Sequence, residues 1–545
     1  MRNLFHADEK GAGKIPPWAW FLCAVVFVVL RVWVAGQYHP AFHSDEAVDY
    51  EYSRLAGIPG IESDYCLSYR PMVGLRLWWL RLVDGMHPGS FPIPPVLAAV
   101  LLSLAATSLW VWFVSSRISK AAGILMAAAL AVAPLACLYY TTLNNERRVE
   151  TILISALLAL GAGKWFLNSG RVLGLGLLTA WGFFSEPFIL FFLAPVLIYE
   201  GRLREWKIKG PFLKCACFGV VGLLLGSWLG IFCEHQWPSF PKGYFQLGWA
   251  GFSRLSMNGI VLTRAFPQYW QGNCPFGWLQ NTSLGAACDP PLGGSWSILL
   301  AVWTFLTFGF SMWGFVRWER GEKETRGFLW ILAIPAFLLL LFFLFSHQTW
   351  SVPSLRYLNY WMIPWAAGFG LSIAWIGRKH PKWAWTVAIL WIGLHAALWI
   401  VKTNRMTGDR PGARIARELE KQGLCYGYAN YWVSEVVRCE SQDRVCLLPY
   451  NGEIVRRSIY RKVWSSPVMG IVDVQGLDPP EDIRSSIEQL MGCGYVPIRR
   501  ISFENDWSVI EFEKIMKNKN IKTGIPKAEV EEILGKFKDT GAESN

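Results

Sequence analysis

Charge is scarce in this chain. Only 17% of its 545 residues are Asp, Glu, Lys or Arg, against about 25% in an ordinary soluble domain. With 53% hydrophobic residues, 31 Trp and a mean hydropathy of +0.28, that shortage excludes a conventional water-soluble protein of this size. No internal repeat is evident, so the chain is not an array of stacked units. The cysteine spacing does not fit a zinc site, and no metal cage stands out. The first apolar run is too long for a signal-peptide core and lacks a convincing A-x-A cleavage site, so it reads as a retained anchor.

A nucleic-acid partner is excluded by where the basic residues lie. The formal charge is +12, but it gathers in short loops: Arg117 and Lys120; Arg202, Arg204, Lys207, Lys209 and Lys214; Arg317, Arg320, Lys323 and Arg326; Arg378, Lys379 and Lys382. This is the positive-inside pattern of a membrane protein.

What is present is a series of long apolar runs. A hydrocarbon core about 30 Å thick needs roughly 20 apolar residues per helix. Residues 18–36, 91–114, 121–140, 212–233, 296–316, 328–345, 355–376 and 383–401 meet that length, with Trp and Tyr at their ends. Residues 172–199 are short for two full spans and are interrupted by Ser185-Glu186-Pro187; they read as two short helices meeting at the break. Lys10 and Lys14 place the N-terminus in the cytoplasm. The expectation is a mainly α-helical polytopic membrane protein with roughly eleven transmembrane segments and everything after Val401 outside. Residues 1–401 form the transmembrane domain with catalytic outer loops, 402–513 a small C-terminal extracytoplasmic α/β domain, and 514–545 a polar tail.

In the second domain, 411–422 has a helical pattern, with Ile415 and Leu419 four apart. Residues 425–429, 445–448, 468–474 and 507–512 read as strands and 483–491 as a helix. Cys23, Cys137, Cys215, Cys217 and Cys233 read as small buried hydrophobes. Cys274, Cys288, Cys425, Cys439, Cys446 and Cys493 fall in outer segments. Their even number fits disulfides in an oxidising compartment; free thiols are the alternative. Cys66 is left over.

The chemistry-bearing residues gather on one side. His43-Ser44-Asp45-Glu46-Ala47 follows the first apolar run. Asp45 and Glu46 can take a proton from an acceptor hydroxyl, and such a pair can also hold a divalent cation. Asp49 shares a helical face with Asp45. The bland reading is a solvated loop start. Tyr69-Arg70-Pro71-Met72 follows in the same loop and runs into an amphipathic stretch, 75–83. Arg70 there suits a phosphate, or merely snorkels to headgroups. Asn144-Asn145-Glu146-Arg147-Arg148 and Glu150 put charge beside the bilayer, where it is expensive. Glu146 suits an acceptor or metal, Arg147 and Arg148 a phosphate; local Glu–Arg pairing is the alternative. Glu186 sits at the break between short helices, with capping as its plain role. Arg356-Tyr357-Leu358 opens a late apolar run near His347, and Arg356 is a further phosphate ligand.

These motifs, in order, resemble the GT-C superfamily of polyprenyl-phosphate-sugar-dependent glycosyltransferases, nearest the protein O-mannosyltransferase and lipid A aminoarabinose transferase groups. His43–Ala47 resembles the acidic motif after their first helix. Tyr69-Arg70-Pro71-Met72 is similar to a shortened Tyr-x-Lys-Pro-Pro-Leu segment. Glu150-Thr151-Ile152-Leu153, Arg356-Tyr357-Leu358 and Ala429-Asn430-Tyr431-Trp432 resemble further family segments. The usual Gly-His pair before the fourth helix is replaced by Asn145-Glu146-Arg147-Arg148. The resemblance implies a GT-C-like fold and an inverting glycosyltransferase with a polyprenyl-phosphate sugar donor and a lipid, glycan or protein acceptor. Asp45 would be the base, Glu46 its helper, and Tyr69, Arg70, Glu146, Arg147, Arg356 and Tyr357 would bind substrate. The resemblance fixes no cofactor, and a divalent cation is the one candidate. A multi-pass protein of the bacterial inner membrane is implied. A lipid or saccharide transporter or flippase is the rival, and it would need charges inside the spans.

Overall fold

The computed structural model describes residues 16–37, 73–86, 93–142, 147–203, 217–228, 251–273, 291–318, 323–346, 352–405, 410–450, 457–474, 477, 480–503 and 507–514. They fall into two compact units, one holding the helices up to Asn404 and the other the residues from Arg405 onward.

The first unit is helical. Its elements are α1 (Pro17–Gln37), α2 (Val73–Met86), α3 (Ile93–Arg117), α4 (Lys120–Ala131), α5 (Leu135–Tyr140), α6 (Arg147–Leu160), α7 (Ser169–Ser185), α8 (Ile189–Leu203) and α9 (Cys217–Trp228). After these come α10 (Leu255–Ile260), α11 (Phe266–Trp270), α12 (Gly294–Trp318), α13 (Lys323–Phe345), a 3-10 run (Val352–Trp361), α14 (Met362–Lys379) and α15 (Pro381–Thr403). Among the described residues, 5 helices are long and apolar enough to cross a membrane: α1, α3, α12, α13 and α15.

Two expected spans are broken, each at a proline. The run 121–140 is α4 and α5 rather than one helix, because Pro134 has no N–H to continue the ladder. The run 355–376 begins as the 3-10 segment and becomes α-helical only at Met362; Pro364 withholds the N–H that the Tyr360 carbonyl would take in an α-helix. Between 172 and 199 the expected pair of short helices is present. Glu186 is extended (φ −157°), its N–H bonding the Gly182 carbonyl, and α8 restarts at Ile189.

A broken helix among apolar neighbours leaves backbone carbonyls that need donors. Arg31 of α1 supplies them. Fully buried, it donates from Nη2 to the Leu130 carbonyl at 3.0 Å, from Nε to Thr141 Oγ1 at 2.8 Å and from Nη1 to the Phe27 carbonyl at 3.2 Å. Ser103 of α3 donates to the Thr141 carbonyl at 2.9 Å. One arginine thereby fastens α1 to the end of α4 and to the residue after α5.

Elsewhere, closeness replaces hydrogen bonds. A Cβ on Gly314 of α12 would stand 2.3 Å from the Gly368 carbonyl of α14, so only glycine permits that crossing. Ser311 donates to the Trp365 carbonyl and Trp318 Nε1 to the Leu371 carbonyl (2.9 Å) along the same seam. Pro267 also shapes its surroundings: residues Val261–Ala265 widen into a π-turn, with the Phe266 N–H bonding Val261 O. That turn carries α11 and its Tyr269.

The second unit is α/β: α16 (Pro411–Gln422), β1 (Tyr426–Ala429), α17 (Tyr431–Glu440), β2 (Cys446–Pro449), α18 (Arg457–Ser465), β3 (Val468–Val474), α19 (Pro480–Gly492), β4 (Tyr495–Phe503) and β5 (Trp507–Lys514). The strand order is β2-β1-β3-β5-β4, parallel on the β2-β1-β3 side and antiparallel from β3 to β5 and β4. One face buries Ile415, Leu419 and Val437, the other Ile459, Val463, Ile483 and Ile487. The helix over 411–422 and the expected strands lie where the sequence places them to within two residues. Sequence reading missed α17, α18 and β4.

The disulfide expectation fails for Cys425, Cys439, Cys446 and Cys493, none of which is in a disulfide. For Cys425 and Cys446, whose backbones adjoin, register gives the reason. Cys446 stands opposite Tyr426, so its side chain and that of Cys425 point to opposite faces of the sheet. Cys66, Cys274 and Cys288 lie outside the described residues.

Two carboxylates of this unit are held above the ordinary carboxylate range. Burial raises Glu440 against the pull of Arg410 (2.6 Å), and burial raises Asp473 against Arg500 (3.0 Å). In the window between the unfolded and the raised folded values, the folded state holds more protons than the unfolded one. Stability is therefore greatest at the acid side of that window and falls as pH rises through it. Denaturant titrations across the mildly acidic range should show this fall, and the double variant E440Q/D473N should flatten it. In the helical unit, Arg31→Met should lower stability by about 2–4 kcal/mol, through three lost hydrogen bonds and a stranded Leu130 carbonyl. Thermal unfolding in detergent measures that loss.

Candidate active site

The expected site residues are not all within the described structure. Asp45, Glu46, Asp49, Tyr69, Arg70, Glu146 and His347 lie outside it, as does the side chain of Arg147, which opens α6. Of those described, Arg356 and Tyr357 stand in the 3-10 run, Arg148 and Glu150 in the first turn of α6, and Glu186 at the break between α7 and α8. Arg356 and Tyr357 are brought together with Arg148, the other arginine of the 147–148 pair.

Arg148 is buried, 6% exposed. Its guanidinium lies 5.2 Å from the Tyr140 ring centre and 5.4 Å from that of Tyr357; Arg356 lies 5.4 Å from the same Tyr357 ring. The cations thus share an aromatic wall, which favours a guanidinium face-on. Phe188, just after the Ser185–Pro187 break, packs on Tyr357 (5.6 Å) and Tyr360 (5.7 Å) and closes the wall's far side. The broken helices make the cluster possible. Had 121–140 continued as one helix, Tyr140 would not be delivered by the short α5. Had 352–361 been α-helical, Arg356 and Tyr357 would not follow their present path.

Electrostatics point one way. The first turn of a helix carries partial positive charge and N–H groups without intrahelical partners. Placing Arg147 and Arg148 there opposes the dipole, an arrangement that favours an anion nearby. Glu150, in the same turn and 6% exposed, accepts a hydrogen bond from Trp181 Nε1 at 2.9 Å. That bond engages one of its carboxylate oxygens.

Tyr269 and Asn359 complete the group. Asn359 Nδ2 donates to Tyr269 Oη at 3.0 Å. The Tyr140 ring lies against that of Tyr269, with centres 6.1 Å apart. Neither Tyr140, Tyr269 nor Asn359 is found by sequence reasoning. The tyrosines look like interfacial aromatics; Asn359 had a usable signal, an amide inside an otherwise apolar and aromatic run. No group of three or more His, Cys, Asp and Glu that can hold a metal occurs among the described residues.

No family model and no curated protein matches the chain. Among solved structures, it is similar to ArnT from Cupriavidus metallidurans, described as bound to undecaprenyl phosphate: TM-score 0.52, 13% identity, 93% of this chain and 100% of that one covered. The fold is the GT-C fold. The archaeal oligosaccharyltransferase AglB from Archaeoglobus fulgidus is also matched, with a TM-score of 0.45 and 11% identity over 93% of this chain and 74% of that one.

Replacing Trp181 with Phe should remove the donor to Glu150 and lower stability by about 1–2 kcal/mol. The companion E150Q should lose less, since an amide oxygen still accepts from the indole. Paired thermal melts check the order.

Proposed function

We propose that this protein is a membrane glycosyltransferase that moves a sugar from a polyprenyl-phosphate carrier to an acceptor on the extracytoplasmic face. The observation that carries the reading is the buried Arg148, grouped with Arg356, Tyr140 and Tyr357 inside a GT-C-like helical unit. The similar ArnT structure is described as holding undecaprenyl phosphate, a ligand whose head is an anion and whose tail is hydrocarbon. Two guanidiniums on an aromatic wall suit such a head.

In this reading Asp45 takes the proton of the acceptor hydroxyl, and Glu46 positions it. The acceptor oxygen attacks the anomeric carbon from the face opposite the phosphate, so the configuration inverts. The carbon–oxygen bond to phosphate breaks, and its electron pair stays on the polyprenyl phosphate. That leaving group needs charge stabilisation more than a proton. Arg148 and Arg356 supply it, with Arg70 and Arg147 as further phosphate ligands, Tyr69 as a substrate-binding residue and Glu146 as a support for the acceptor or a metal. A divalent cation at the Asp45–Glu46 pair remains part of the same reading.

The same reading has roughly eleven membrane segments, a cytoplasmic N-terminus, an extracytoplasmic domain over 402–513 and residence in a bacterial inner membrane. The tail's lack of disulfides removes one argument for that orientation, which rests on the loop charges. Arg31 is a buried charge within a span, as a transporter would need. Two of its three hydrogen bonds go to Leu130 and Thr141 of the broken helix and the third to Phe27 of its own, which makes it part of the scaffold instead.

The test is transfer of labelled sugar from polyprenyl-phosphate donors in membranes. Asp45→Asn should lower the rate by about 10²- to 10⁴-fold, and Arg148→Gln should lower it as well. Unchanged transfer by D45N removes Asp45 from the mechanism; unchanged transfer by R148Q removes the cluster.

A further inference from the structure

α12 and α14 run parallel. Ser311 meets Trp365, Gly314 meets Gly368 and Trp318 meets Leu371, in rising order along both helices, so the two end at the same face. Cations lie on indoles there. Arg317 of α12 is 5.4 Å from the Trp313 ring centre and 5.1 Å from that of Trp375 on α14; Lys379 is 5.0 Å from the same Trp375 ring. Trp375 therefore carries a cation from each helix. Among the described residues no carboxylate pairs with Arg317, Lys379 or Lys382.

A cation in the last turn of a helix complements the dipole, and each of Arg317 and Lys379 does so for its own helix. That does not explain why both are drawn to one ring. Two unpaired cations at such range repel, and salt screens them only in part. Lys382 adds to the imbalance. It stands in the first turn of α15, two residues after His380, in a turn with no acid. The apolar surroundings say what kind of anion fits. Met312 and Val316 are exposed on α12 beside Trp313 and Arg317, and α12 is apolar enough to cross a membrane. A free anion has no use for that strip, whereas a lipid's chains do.

We propose that the shared end of α12 and α14 binds an anionic phospholipid, whose headgroup phosphate is held by Arg317 and Lys379 with Lys382 as a third cation. The guanidinium, kept flat on Trp313 and Trp375, offers its fork of N–H donors to two phosphate oxygens. Lys379 acts as a point charge on the third side, and the acyl chains lie along Met312 and Val316. Basic pockets between spanning helices recognise acidic headgroups in this way. The site is separate from the Arg148 cluster and does not depend on sugar transfer.

The measurement is binding of a fluorescent phosphatidylglycerol to the full chain in phosphatidylcholine nanodiscs. Each basic side chain near a lipid surface contributes about 1 kcal/mol, or about fivefold in affinity. R317Q should therefore weaken binding about fivefold, and K379Q/K382Q more than fivefold. R317K keeps the charge but gives up the two-pronged bond, so it should lose at least about twofold. K207Q/K209Q removes two cations from a different basic loop and should leave binding unchanged. An equal loss in that variant would reduce the effect to diffuse attraction and overturn the site. Wild-type affinity in both R317Q and K379Q/K382Q would overturn it as well. So would release of the lipid by millimolar inorganic phosphate, which would make this a free-anion site. Melting temperatures in phosphatidylcholine within a few degrees of wild type show that each variant is folded.

Discussion

The helical unit turns on one buried arginine. Arg31 spends its hydrogen bonds where α4 stops and α5 ends, and those two ends cannot remain exposed among apolar side chains. A proline break between apolar helices is otherwise a liability. With Arg31 in place, the chain can stop α4 early and turn through Ala133 and Pro134. Tyr140 is then set just one residue from Thr141, the hydroxyl that Arg31 grips. The scaffold knot and the aromatic wall are neighbours in sequence, so a disturbance at the first is felt at the second.

The wall itself is assembled from irregular backbone. Tyr140 ends a helix of 6 residues, Tyr269 follows a π-turn, and Tyr357 and Asn359 sit on a 3-10 run. Regular spans could not bring these side chains to one place. Non-helical backbone at membrane depth is tolerated where protein surrounds it, and here the buried Arg31, Ser103 and Asn258 supply the required bonds. Asn258, for example, caps the end of α13 through the carbonyls of Phe343, Leu344 and Ser346.

Much of the architecture was legible in the sequence, because hydropathy and periodicity are local. The apolar runs, the break at Ser185–Pro187 and most tail strands show in windows of a few residues. What failed to show was non-local. Pro134 is hidden inside an apolar average, and its consequence depends on an arginine about a hundred positions earlier. Arg31 in a run of Val and Leu looks like a snorkelling side chain, whereas its partners lie on other helices. Tyr140 and Tyr269 look like members of an aromatic belt. The cysteines misled for a related reason: counting them says nothing of the face each occupies. Arg356 was legible as a charge at the opening of an apolar run, Tyr357 only through its motif.

The Arg31 bonds also bear on how such a chain enters a membrane. Its partners Leu130 and Thr141 are 99 and 110 positions farther along, so the first helix is synthesised well before either exists. At that stage the guanidinium has only its own helix, through the Phe27 carbonyl, and an arginine at mid-span costs about 2.5–3.5 kcal/mol to insert. The Val- and Leu-rich remainder of α1 must offset this cost unaided. The first helix is thus a provisional one, apolar enough to wait in the bilayer with an unfinished arginine until the fourth and fifth helices arrive to complete it.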